Sequence, residues 1–132
     1  MTNVFLTSAY PYGSENFGPE WLKSRSTSRD GFDLVEDAGS ADLILFVENH
    51  PPLDPYYFVV QGHELLRLYP EKCVLYHDAD RSVTRMRTIS PSVELWQHDP
   101  RHNATVHYVA RFCENELLNK VSNFEAERRY LF

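Results

Sequence analysis

Ala41-Asp42-Leu43-Ile44-Leu45-Phe46-Val47 is the stretch that decides the fold. It is a nearly continuous apolar run rich in β-forming residues, the pattern of a strand buried on both faces of a parallel sheet. It stops abruptly at Glu48-Asn49-His50-Pro51-Pro52, which is loop chemistry. Upstream, Val4-Phe5-Leu6-Thr7 has the same character and exits into Ser8-Ala9-Tyr10-Pro11-Tyr12-Gly13-Ser14. Downstream, Lys72-Cys73-Val74-Leu75-Tyr76-His77 is a third such strand, exiting into Asp78-Ala79-Asp80-Arg81.

The segments between the strands read as helices. Pro19-Glu20-Trp21-Leu22-Lys23 has proline in the first turn with an acid beside it, and Gly31 ends that helix. Phe32 to Glu36 is a weak second strand. Tyr56 to Tyr69 is predicted as one helix, with Phe58, Gly62, Leu65 and Tyr69 at helical spacing and Pro70 as its stop. Ser92 to Leu95 reads as a short strand, residues 97 to 103 as polar loop and Val106 to Ala110 as extended. Strands alternating with helices predict an α/β fold with a mainly parallel sheet. Ligands of such sheets sit beyond the carboxyl ends of the strands. The three loops there also hold the most chemically loaded residues of the chain.

Composition bounds the rest. The chain has 132 residues, 42% of them hydrophobic and 24% charged, which suits one globular domain. Thirteen basic residues against 19 acidic ones give a net charge of −6, the wrong sign for a general nucleic-acid or anionic-membrane binder. No apolar run approaches the ~20 residues of a membrane span, and the first residues lack the form of a signal peptide. A cytoplasmic location is therefore expected. Cys73 and Cys113 form no disulfide framework, and Cys73 reads as a small buried hydrophobe. His98, His102 and His107 lack zinc-ligand spacing, and Pro100 separates the first two. The sequence implies no cofactor and no dedicated metal site. It has no P-loop, dinucleotide fingerprint or nucleophile elbow.

His77-Asp78-Ala79-Asp80 is the strongest local feature. In extended chain the Asp78 and Asp80 side chains fall on one side, where paired carboxylates can hold a hard divalent cation or act on a substrate. The competing reading gives one Asp to a turn cap and the other to an ion pair with Arg81. Glu48 and His50 are candidate bases if burial tunes them, and His77 joins Glu48, Asp78 and Asp80 as a candidate catalytic residue. Arg81, Asn49, His50, Tyr10, Tyr12 and Ser14 are candidate substrate contacts, and the tyrosine rings suit the apolar faces of sugars. Each also reads as ordinary loop chemistry over the edge of the core.

Three segments carry a family resemblance. Ala41 to Glu48, Tyr69 to Arg81, and Cys113-Glu114-Asn115-Glu116-Leu117 followed by Arg129-Tyr130-Leu131-Phe132 resemble, in that order, pieces of the N-terminal half of exostosin-like glycosyltransferases. The resemblance implies a B-type transferase with two Rossmann-like domains, each a three-layer sandwich, facing across a cleft. Residues 1–132 would be the first, acceptor-side domain, and a donor-binding domain would follow it. The expected partners are a carbohydrate or other hydroxyl acceptor and that second domain. Ser82-Val83 and Met86 to Ser90 depart from the family pattern after Arg81. Two further classes fit the residues: a small metal-dependent enzyme built on Asp78 and Asp80, and a non-catalytic α/β interaction module.

Overall fold

A computed structural model describes residues 1–10, 18–25, 31–48, 54–77, 79, 83, 86–91, 93 and 95–105. The strands are β1 (Thr2–Thr7), β2 (Phe32–Leu34), β3 (Leu43–Glu48), β4 (Cys73–His77), β5 (Arg87–Ser90) and β6 (Asn103–Thr105). The helices are α1 (Gly18–Arg25), α2 (Phe58–Gln61) and α3 (Glu64–Leu68). All six strands pair in parallel, in the order β2-β1-β3-β4-β5-β6. The mainly parallel α/β fold expected from the apolar runs is the fold observed.

β3 lies at the centre because its run can be buried on both sides. Phe5 registers with Ile44, Cys73 with Ile44, Leu75 with Phe46 and His77 with Glu48, so these side chains share one face. On that face Ile44, Phe46, Cys73 and Leu75 are buried, covered by Tyr57 and Val60 and flanked by Leu65, Leu66 and Tyr69. On the other face Val4, Val47 and Val74 are buried while Leu43 and Leu45 are half-buried. There Leu6 and Leu34 line a cavity of about 270 Å³ with Pro19, Glu20 and Lys23 of α1. The crossover from β1 to β2 runs opposite to that from β3 to β4, so right-handed connections place their helices on opposite faces. Cys73 is the small buried hydrophobe expected, its thiol directed at the Leu65 carbonyl at 3.5 Å.

β2 reaches β3 through only eight residues and no helix, short for a parallel crossover. This works because β2 is registered against Thr2–Val4 and β3 starts opposite Val4, leaving only the width of β1 to cross. Val35 N donates to the Val4 carbonyl at 3.0 Å and Asp42 N to the Asn3 carbonyl at 2.8 Å. The turn between them is closed by the Asp37 carboxylate, which accepts from Gly39 N and Ser40 N at 3.2 and 3.0 Å.

Three elements differ from the sequence reading. The helix expected over Tyr56 to Tyr69 is two short ones. Gly62 N closes α2 on the Phe58 carbonyl at 2.9 Å; His63 then turns extended, and its Nδ1 caps Leu65 N at 3.2 Å. Phe58, expected on the buried face, is 61% exposed, and Val60 is buried instead. Of the strand expected over Ser92 to Leu95, Ser92 and Glu94 lie outside the described residues, and Leu95 opens a 3₁₀ turn, Leu95–Gln97. The real strand, β5, precedes it, and the Asn103 at the end of the expected loop opens β6. The inward positions of these strands are polar, with Thr88, Ser90 and Asn103 all buried, so no apolar alternation marks them. Asn103 Nδ2 donates to Thr88 Oγ1 at 2.9 Å across them. Val106 to Ala110 and Tyr130 to Phe132 lie outside the described residues. Among the described residues no helix is long and apolar enough to cross a membrane.

Candidate functional site

The sheet order reverses at β1, which has β2 on one side and β3 on the other. Connections leave the two sides in opposite directions, and the carboxyl ends of the strands at such a reversal are where parallel sheets bind ligands. Ser8, Ala9 and Tyr10 leave β1 there, and Glu48 ends β3.

Glu48 is only 1% exposed. Ser8 Oγ donates to its Oε2 at 2.8 Å and Ala9 N to its Oε1 at 2.7 Å. Burial pushes its carboxyl up to about 7, although the hydrogen bonds from Ala9 and Ser8 pull the other way. Tyr10 N donates to Ser8 Oγ at 3.1 Å, and the Tyr10 hydroxyl makes a short hydrogen bond to Asp54 Oδ2. The Asp54 carboxylate also accepts from Phe58 N and Val59 N, both at 2.9 Å, at the start of α2. Partial burial raises the Asp54 carboxyl, but hydrogen bonds from Tyr10, Val59 and Phe58 outweigh it and hold the group below its ordinary range. Burial, then the Asp54 hydrogen bond and charge, push the Tyr10 hydroxyl well above its ordinary value. Glu48 and Asp54 thus stand at the two ends of the β3–α2 connection, and both grip the segment leaving β1.

One strand over, His77 is fully buried and its Nδ1 accepts from Ala79 N at 3.2 Å. The Tyr57 ring lies against the imidazole, centroids 5.1 Å apart and tilted 38°. Tyr57 is itself fully buried and holds a left-handed backbone, φ 56° and ψ 41°. Among the described residues no other non-glycine has positive φ. Such a conformation is rare for an aromatic residue and marks a position the surrounding packing enforces. Beside it the Tyr56 and Phe58 rings form an exposed pair, 5.9 Å between centroids.

Of the residues expected from sequence, Tyr10, Glu48 and His77 come together at this edge. Asp78, Asp80, Arg81, Asn49, His50, Tyr12 and Ser14 lie outside the described residues. Ser8, Asp54 and Tyr57 were not singled out in the sequence. An Asp shortly before a helix is a capping signal, which marks Asp54. Nothing in the sequence marks Tyr57, since left-handed backbone disfavours bulky side chains. Among the described residues no cluster of three or more His, Cys, Asp or Glu is placed to hold a metal ion. Comparison with known proteins finds no matching family model, curated protein or solved structure.

Proposed function

We propose that this chain is the acceptor-side domain of a glycosyltransferase, of the exostosin-like kind its sequence resembles, binding a carbohydrate or other hydroxyl acceptor at the reversal edge. The observation that carries the reading is the strand order, which gathers Tyr10, Glu48 and His77 at the place where parallel sheets bind ligands. The exposed Tyr56 and Phe58 rings border the same edge and offer apolar faces of the kind sugars stack on. In this reading Asp78, Asp80 and Arg81 are candidates to act on the acceptor, and a donor-binding domain supplies the nucleotide sugar. Sugar transfer through an oxocarbenium-like state then needs a base to take the acceptor hydroxyl proton.

The test is saturation-transfer NMR of the chain with a panel of neutral and acidic methyl glycosides, read alongside backbone amide shifts. Binding that moves the amides of Ser8, Ala9 and Tyr10 supports the reading. Absence of binding by every sugar overturns it, as does binding confined to amides at the opposite end of the sheet.

A further inference from the structure

The residues at the floor of the edge have little exposed surface with which to meet a ligand. Glu48 is 1% exposed, and each of its two carboxyl oxygens already holds a donor. Both donors belong to the segment leaving β1. That segment is gripped a second time through Tyr10 by Asp54, which also takes two N–H groups of α2. A connected hydrogen-bond path therefore runs from the end of β3, through Ser8 and Tyr10, to the start of α2.

We propose that Glu48 is a positioning residue, fixing Ser8–Tyr10 in the conformation that meets the ligand without touching the ligand itself. The inference rests on the reading of this edge as the binding site, but the clamp can be measured without any ligand. When the Glu48 carboxyl is ionised these hydrogen bonds are charge-assisted, the stronger kind in proteins. Among the described residues, the titratable groups around the Glu48 carboxyl are Tyr10 of the β1 exit segment with its partner Asp54, and His77 beside it in register on β4. Burial supports the same picture, because it makes the clamp's charge sensitive to pH near neutrality.

The experiment compares the full natural chain with Glu48→Gln, Glu48→Ala and the milder Ser8→Ala. Amide hydrogen-exchange protection at Ala9 is measured across pH, with Phe46 as a reference inside the sheet. Binding of the methyl glycosides is measured on the same samples. Glu48→Ala is expected to lower Ala9 protection roughly 10- to 100-fold relative to Phe46. Ser8→Ala gives a smaller loss that remains readable if Glu48→Ala does not fold. Glu48→Gln keeps an acceptor for Ala9, so protection and sugar binding are expected to stay within about threefold, with the pH dependence near neutrality flattened. Unchanged Ala9 protection in both Glu48→Ala and Ser8→Ala overturns the clamp. Loss of sugar binding in Glu48→Gln with Ala9 protection intact overturns it too, because Glu48 would then touch the ligand. Failure of every sugar to bind the natural chain removes the proposed function alone, and Ala9 protection still decides the clamp.

Discussion

Glu48 and His77 are register partners at the carboxyl ends of β3 and β4, and each side chain accepts a main-chain N–H from a segment leaving the sheet. Glu48 takes Ala9 after β1, and His77 takes Ala79 after its own strand. Two buried polar side chains at the centre of the sheet edge thus order the backbone on which ligand contacts would stand. The fold places them there because register partners of a parallel sheet share a face.

The first consequence is a pH dependence of stability with a definite sign. The folded chain keeps the Glu48 proton up to about pH 7, whereas the unfolded chain releases it near 4.5. Between those values the folded state binds more protons. The Glu48 contribution is therefore fully present below about 4.5 and is lost as pH rises through 7, by roughly 3 kcal/mol in total. Urea unfolding of the natural chain and Glu48→Gln from pH 4.5 to 8 is expected to show the variant gaining on the natural chain as pH rises. A difference that is flat, or that grows in the other direction, contradicts a buried carboxyl of this kind.

Tyr57 separates backbone strain from side-chain packing. Removing its buried ring is expected to cost about 3–5 kcal/mol in either Tyr57→Ala or Tyr57→Gly. Left-handed backbone costs an L-residue roughly 1–2 kcal/mol, and glycine escapes that cost. Tyr57→Gly is therefore expected to be more stable than Tyr57→Ala by about 1 kcal/mol, the reverse of the order at an ordinary helical position. Denaturant unfolding midpoints of the two variants check it, and equal or inverted stabilities argue against the left-handed assignment.

What was legible in the sequence follows the physics of burial. β1, β3 and β4 announce themselves because central parallel strands are apolar on both sides. β5 and β6 do not, because the buried Thr88, Ser90 and Asn103 are polar, with Asn103 hydrogen-bonded to Thr88 across the strands. The helix after β3 was legible as helix, but its break was not. A histidine that caps α3 and a glycine that closes α2 both resemble tolerated interior residues in one dimension. Glu48, His77 and Tyr10 were legible as candidates because strand ends are ligand edges. Asp54 carried only a helix-capping signal and Tyr57 none, since their contacts at this edge are with Tyr10 and His77, which are 44 and 20 residues away.

The tautomer of His77 is fixed by its neighbour. Ala79 N–H points at Nδ1, so that nitrogen must carry a lone pair and the ring proton belongs on Nε2. The ¹⁵N shifts of the two ring nitrogens at neutral pH are expected to show Nδ1 as the unprotonated acceptor. A ring protonated at Nδ1 would mean that the Ala79 contact is not made in solution.

Asp54 gives the acid-side counterpart of Glu48. Its carboxylate accepts from Tyr10, Phe58 and Val59, and hydrogen bonds hold its carboxyl below the ordinary range despite partial burial. Its contribution is thus fully present above the unfolded value near 4 and is lost as pH falls through the folded one. Asp54→Asn keeps one amide oxygen to serve three donors and is expected to cost about 1–3 kcal/mol at neutral pH. Tyr10→Phe removes a single donor and costs less. Because the two residues share one hydrogen bond, the double variant is expected to lose less than the sum of the singles. The gap between Asp54→Asn and the natural chain narrows as pH falls below 4, opposite in direction to the Glu48 effect. Urea unfolding of the four chains at pH 7 and at pH 3 measures all of this. Additive losses, or a gap that widens in acid, would show that Tyr10 and Asp54 do not act as one pair.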